Sequence, residues 1–215
     1  MISNIFLEII NMKKKIKSSP KDRISDTIAE SITVKTKMLE QSIEHIAITS
    51  NILSDCLHNG GKILLCGNGG SAADSQHIAA ELVVRFRSHV NRPALSAISL
   101  TTDTSILTAC GNDYGFDDIF SRQVEAYGKS GDVLVGISTS GNSQNVMLAI
   151  EQAKQKNMIT IGLLGGDGGK IKDLCDHVVM IPTNITARIQ ECHIMVGHIW
   201  CEEIEESLFP ELCKK

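Results

Sequence analysis

The segment LLCGNGGSAADSQHIAAELVVRFR, from Leu64 to Arg87, decides the fold. It opens as an apolar run short enough to be a buried strand, passes Gly67, Gly69 and Gly70, and continues as a helix carrying His77 and Glu81. Strand, glycine turn and helix in that order make the first half of a βαβ unit. Glycine admits positive φ and lets the backbone come close to a ligand. The helix start beyond it offers free N–H groups and a partial positive charge. The chemistry indicated is anion binding, most often of phosphate. A full GxGxxG dinucleotide fingerprint is not met, and Asp103, which follows the next strand, comes later than the usual ~20 residues. The plainer alternative is a turn that only reverses the chain.

The same grammar repeats outward. KILLCG, ALSAISL, DVLVGIS, MITIGLLGG and HVVMIP are short apolar runs bounded by Gly, Asp, Asn or Pro and separated by helix-length segments. They are apolar throughout rather than alternating, which fits strands covered on both faces. The expectation is an α/β fold: a three-layer α-β-α sandwich around a parallel five-stranded sheet. Upstream, Ile28, Ile32, Met38, Leu39, Ile43, Ile46, Leu53 and Leu57 recur at helical steps, predicting a long leading helix from Asp26 to about His58, stopped by HNGG. A final helix is predicted from about Ala187 to Leu208. Residues 21–215 read as one domain, and residues 1–20 as a disordered or mis-assigned extension, with Met12 as a second candidate start.

Composition narrows the class. The chain has 215 residues, 42% of them hydrophobic and 21% charged, with a net charge of −4. A nucleic-acid partner would call for a basic balance, and no run approaches the ~20 apolar residues of a membrane span. The N-terminal apolar stretch contains Glu8 and precedes its lysines, the reverse of a secretory signal. The seven cysteines form no CxxC pair, so reduced thiols in a cytoplasmic protein are expected.

A second polar loop, GISTSGNSQNV at 136–146, again follows a strand and opens a helix. Ser138, Thr139, Ser140 and Ser143 exceed what one helix cap needs, and hydroxyls with helix-start amides can surround a phosphate monoester. Two such loops at strand ends fit ligand binding at the carboxyl edge of an open sheet.

Taken together, GNGGSAADSQHIAAEL, GNDYGFDDIFSRQVEA, GISTSGNSQNV and ARIQECHIMVGHIWCEEIE resemble the phosphoheptose isomerases of the sugar isomerase (SIS) domain family, over about residues 21–208. The resemblance implies a flavodoxin-like SIS fold and a homotetramer with active sites at subunit interfaces. The reaction implied is sedoheptulose 7-phosphate to D-glycero-D-manno-heptose 7-phosphate through an enediol(ate), the first step of nucleotide-activated heptose biosynthesis for lipopolysaccharide core or capsule. It implies phosphate contacts at Ser71, Ser138, Thr139, Ser140 and Ser143, with Gly69 and Gly70 in the same loop. Asn68, Asn112, Asp113 and Gln190 fall among the sugar-binding positions, and one zinc ion per subunit would sit on His77, Glu81, Gln190 and His198. Ala187 stands where some members carry Asp, so that position has no assigned role.

His77 and Glu81, four residues apart, share a helix face, and both are good zinc ligands; such a pair is also a common surface salt bridge. On the last helix, spacing alone nominates Glu191, His198 and Glu202, whereas the resemblance nominates Gln190. Ketose–aldose isomerisation needs a base at C1 and an acid for the enediolate oxygen; Glu81 and His198 are the candidates. For Glu191, Glu202 and Glu203 a solvated or inter-subunit face is expected. His193 is expected to pack or hydrogen-bond, Arg85 to reach the site or a neighbour, and Arg87 to lie on a solvated face. The competing readings are a non-catalytic SIS protein that binds a replication initiator or another protein, and an isomerase of a different phosphosugar. A helix-turn-helix regulator lacks room before the first strand.

Overall fold

A computed structural model describes residues 19–214; the expected extension therefore lies outside the described residues up to position 18. The chain divides into two compact units, residues 1–33 and 34–215. The described part of the first is the opening of helix α1 (Pro20–Gln41), started by a reciprocal cap in which Asp22 N–H donates to Ser19 Oγ (3.1 Å) and Ser19 N–H to Asp22 Oδ2 (3.0 Å).

The leading helix is not continuous. It breaks at Ser42, and α2 runs from Ile43 to His58. Ser42 is buried, and its hydroxyl donates to the Met180 carbonyl at 2.8 Å. A serine hydroxyl can compete locally with helical hydrogen bonding, which apolar periodicity does not register. The HNGG stop holds: α2 ends at His58, and Gly60 takes φ +76°.

Strand β1 (Ile63–Gly67) leads to α3 (Gly70–Val83), then β2 (Ala97–Ser99), α4 (Thr104–Asp113) and α5 (Ser121–Tyr127). Next come β3 (Val133–Ser138), α6 (Gln144–Gln155), β4 (Ile159–Gly165), β5 (His177–Ile181), α7 (Thr186–Leu208) and the short α8 (Pro210–Cys213). The five strands form one sheet in the order β2-β1-β3-β4-β5, and every pairing is parallel. The predicted ALSAISL strand is shorter than its apolar run, three residues, and sits at the sheet edge.

Successive strand residues point to opposite faces, and here both faces are covered. Ile63, Leu65, Val133, Val135 and Ile161 pack with Leu53, Ile78, Leu82, Val196 and Trp200 of α2, α3 and α7. Leu64, Leu134 and Leu164 pack with Phe120, Val124, Val146 and Ile150 on the other side. Trp200 Nε1–H donates to Thr49 Oγ1 at 3.0 Å, tying α7 to α2. No helix among the described residues is long and apolar enough to cross a membrane, and all seven cysteines are free.

Candidate active site

The chain winds outward from β1 to β2 and then returns to β3 on the other side of β1. That reversal opens a crevice at the carboxyl ends of β1 and β3. The loops leaving those strands are the two that the sequence singles out, side by side because Gly67 is paired with Ile137. A reciprocal amide pair joins them: Asn68 Nδ2–H donates to Asn145 Oδ1, and Asn145 Nδ2–H to Asn68 Oδ1, both at 2.9 Å. Asn145 is buried. Its partnership escaped the sequence reading because nothing local marks a side chain whose partner is 77 residues away.

Within the second loop the hydroxyls divide by task. Ser138 is buried; its Oγ lies 3.0 Å from Ser143 Oγ and accepts the Gly141 N–H at 3.1 Å, so it braces the loop. Gly141 takes φ +64°, and a Cβ there would strike the Gly168 carbonyl. Thr139 and the exposed Ser140 instead face a polar recess of about 160 Å³ shared with Asp167 and Asn184. In the first loop Gly69 has φ +55°, and Ser71 is buried in the first turn of α3.

Helices α3 and α7 run parallel, because contacts advance along both together. Gly70 lies against Gln190, where a Cβ would collide with the amide, and Gly197 lies against Ile78. This alignment brings His198 Nε2 to 3.1 Å from His77 Nε2, while His77 Nε2 is also 3.1 Å from Glu81 Oε1. The His198 ring stands between His77 and Phe86, with centroids 5.1 and 5.3 Å away. His77 is half exposed and Glu81 one quarter exposed, at 48% and 25% of their side-chain surface. Glu81 and His198 each meet His77, and among the described residues no three His, Cys, Asp or Glu side chains form a group that could hold a metal as arranged. Gln190 sits at the glycine-loop end, a rise of about 12 Å along α7 from His198.

Other candidates lie elsewhere. Asn112 donates to Asp113 Oδ1 at 2.8 Å, and Asp113 lines a separate cavity of about 250 Å³ with Tyr114, Arg122 and Tyr127. Asp74, one turn before His77, has a buried Oδ2 without a hydrogen-bond partner. Burial pushes its carboxyl up to about 6, against the pull of His77. His193 is fully buried beside the Leu164 backbone, and burial pushes it down to about 4, against the opposing pull of that main chain. Glu191 pairs with Arg188 at 2.7 Å. Arg85 is exposed. Arg87 departs from the solvated face expected of it: its Nε lies 3.0 Å from the buried Glu205 and its Nη1 2.6 Å from Glu206. The sequence shows the charge but not the carboxylates waiting on the last helix.

Comparison with known proteins identifies the family. The SIS domain family pattern matches residues 28–165. The phosphoheptose isomerase of Clostridium acetobutylicum is 54% identical over 193 residues, covering 89% of this chain and 97% of that protein. The chain belongs to the phosphoheptose isomerase branch of the SIS-domain family. Two solved structures of this branch resemble it closely. The phosphoheptose isomerase from Neisseria gonorrhoeae has a TM-score of 0.82 at 48% identity, covering 86% of this chain and 98% of that one. The one from Francisella tularensis has a TM-score of 0.84 at 38% identity, covering 88% and 100%. The parallel sheet and flanking helices are therefore those of a phosphoheptose isomerase, and the two polar loops occupy its sheet's switch point.

Proposed function

We propose that this chain interconverts sedoheptulose 7-phosphate and D-glycero-D-manno-heptose 7-phosphate through an enediol(ate). The observation that carries this reading is the meeting of Glu81, His77 and His198 on the helix that the first phosphate-type loop opens and the last helix packed along it. Thr139, Ser140, Ser143 and Ser71 grip the phosphate with the N-terminal amides of α3 and α6, and Ser138 shapes that grip from behind. Asn68, Gly69, Gly70, Asn112, Asp113 and Gln190 complete the sugar site, the latter groups by assembly of copies. Binding energy from the phosphate, remote from the reacting carbons, holds C1 and C2 against the acid–base pair.

Glu81 takes the proton from C1 as a carboxylate and returns it at C2. His198 delivers and removes the oxygen-bound proton. Between the two Nε2 atoms one ring donates and the other accepts, so the imidazole pair already holds a transferable proton beside the carboxylate.

The donor set also fits zinc. Two imidazoles and a carboxylate are zinc's usual ligands, and Glu81 and His198 both meet His77, so the fit is one of donor chemistry. His77, Glu81 and His198 would hold the ion, one per subunit, whereas Gln190, which lies against Gly70 at the glycine-loop end of α7, would serve the sugar instead. Bound there, it would polarise the carbonyl and stabilise enediolate charge. A metal-bound carboxylate is a poor base, so Glu81 takes the proton only when free of the ion.

The same reading makes the protein a cytoplasmic homotetramer with active sites at subunit interfaces. Val84, Tyr114 and Phe116, each more than 60% exposed, supply apolar surface for such contacts, and seven free thiols suit a reducing compartment. Incubating purified protein with sedoheptulose 7-phosphate, with and without a chelator, and following aldose formation tests the proposal; no aldose in either arm rejects it.

A further inference from the structure

Glu81 and His198 stand on different helices, so their separation depends on what locks α3 to α7. Midway the lock is steric: Gly197 lets the helices close on Ile78, and a Cβ there would come within 2.5 Å of Ile78 Cδ1. At the far end it is ionic. Glu205 is fully buried on α7, and its Oε1 accepts Arg92 Nε–H at 2.9 Å and the Phe86 N–H at 3.0 Å. Its Oε2 accepts Arg87 Nε–H at 3.0 Å. The other end of Arg92 turns to α3: Nη2–H donates to the Glu81 carbonyl at 2.8 Å and Nη1–H to the Leu82 carbonyl at 2.9 Å. These carbonyls belong to the last turn of the helix, where the ladder runs out of donors. Glu81 is thus held through its own main chain by a side chain anchored on the helix of His198.

We infer that the Arg92–Glu205 pair is a positioning device that passes the register of α7 to Glu81, so that Glu81, His77 and His198 meet. The role rests on the isomerase reading given above. Two features separate it from a mere contribution to stability. A buried ion pair is often no more stabilising than apolar residues of the same volume, whereas in this one Arg92 places three directed bonds on the two elements that carry the reacting groups. The planar fork of arginine reaches the Glu205 carboxylate and the Glu81 and Leu82 carbonyls from three separate nitrogens in fixed directions, which the single ammonium nitrogen of lysine does not reproduce.

The test is Arg92→Lys, with Glu205→Gln beside it, both assayed as folded protein well below their melting temperatures. Displacing a reacting group by about 1 Å can cost on the order of 10²-fold. Arg92→Lys is expected to lower kcat by that order, with KM for sedoheptulose 7-phosphate changed less than about twofold because the phosphate loops lie at the opposite end of α3. Glu205→Gln should show the same split in milder form. A folded Arg92→Lys enzyme with wild-type kcat, or a loss that only tracks the unfolded fraction, overturns the inference. The imidazole nitrogen resonances of His77 and His198 give a second readout. They should move in Arg92→Lys while backbone amides of the sheet stay fixed; unmoved imidazoles overturn the inference. If the wild-type protein makes no aldose, the isomerase reading fails by itself, and the resonances still decide whether the pair sets the register.

Discussion

The Nε2 atoms of His77 and His198 lie 3.1 Å apart, although 121 residues separate them along the chain. With Glu81 at 3.1 Å from the same His77 nitrogen, they set a carboxylate and two imidazoles within reach of one small substrate. The chemistry proposed for the protein rests on that contact.

Glu81→Gln keeps the shape of the side chain and removes its basicity. Turnover of sedoheptulose 7-phosphate should fall by about 10²–10⁴-fold, with the melting temperature and phosphate binding little changed. Calorimetry with inorganic phosphate and a steady-state assay would check both halves; retained turnover removes Glu81 from the role of base.

His77→Ala removes an imidazole donor, and His198→Gln replaces one with a weaker amide oxygen. Metal analysis of protein loaded with zinc and then dialysed should show a lower zinc-to-protein ratio in either variant. An unchanged ratio in both rejects this coordination.

Ser138 and Ser140 should separate, although they stand two residues apart in one loop. Ser138→Ala leaves the Gly141 N–H without its acceptor and should cost about 1–3 kcal/mol in denaturant unfolding. Ser140 is exposed, so Ser140→Ala should leave stability alone and raise KM, as loss of binding common to ground and transition states does.

His193 makes stability depend on pH. Its imidazole titrates near 6.5 when unfolded and at about 4 when folded, so the unfolded chain binds the extra proton between those values. Its contribution is complete above about pH 6.5 and is lost as pH falls towards 4. Relative to wild type, His193→Leu should lose about 2 kcal/mol less stability between pH 7.5 and 4.5, measured by urea unfolding. Equal losses would show that His193 is not the titrating group.

Asp74 acts with the opposite sign. Its carboxyl is pushed up to about 6, so it weakens the fold above that pH and ceases to do so as pH falls through 6 towards 3.8. Asp74→Asn should therefore stabilise the protein at pH 8, by about 1 kcal/mol after allowance for its partial exposure, and the gain should vanish near pH 4. A thermal unfolding series across pH would show it.

Much of the fold was legible in the sequence because strands, helices and turns answer to local rules. Short apolar runs between helix-length segments marked five parallel strands, glycines marked the turn after β1, and the four-residue step from His77 to Glu81 put both on one helix face. The same local rules overlooked Ser42, whose helix break depends on a carbonyl of β5 138 residues away. The site was legible as separate parts: a glycine loop, a hydroxyl loop and a histidine-bearing last helix. Spacing on α7 pointed to Glu191, which the structure pairs with Arg188.

The amino-acid sequence by itself determined which segments form strands and helices and which side chains stand on each helix face, because backbone geometry between neighbours sets those periods. Only the tertiary structure decided that β1 lies beside β3, that α3 runs parallel to α7, and that Arg92 spans from Glu205 to the Glu81 carbonyl. Those relationships come from packing and hydrogen bonds between segments far apart in the chain, and no repeat in the sequence encodes the distance between them.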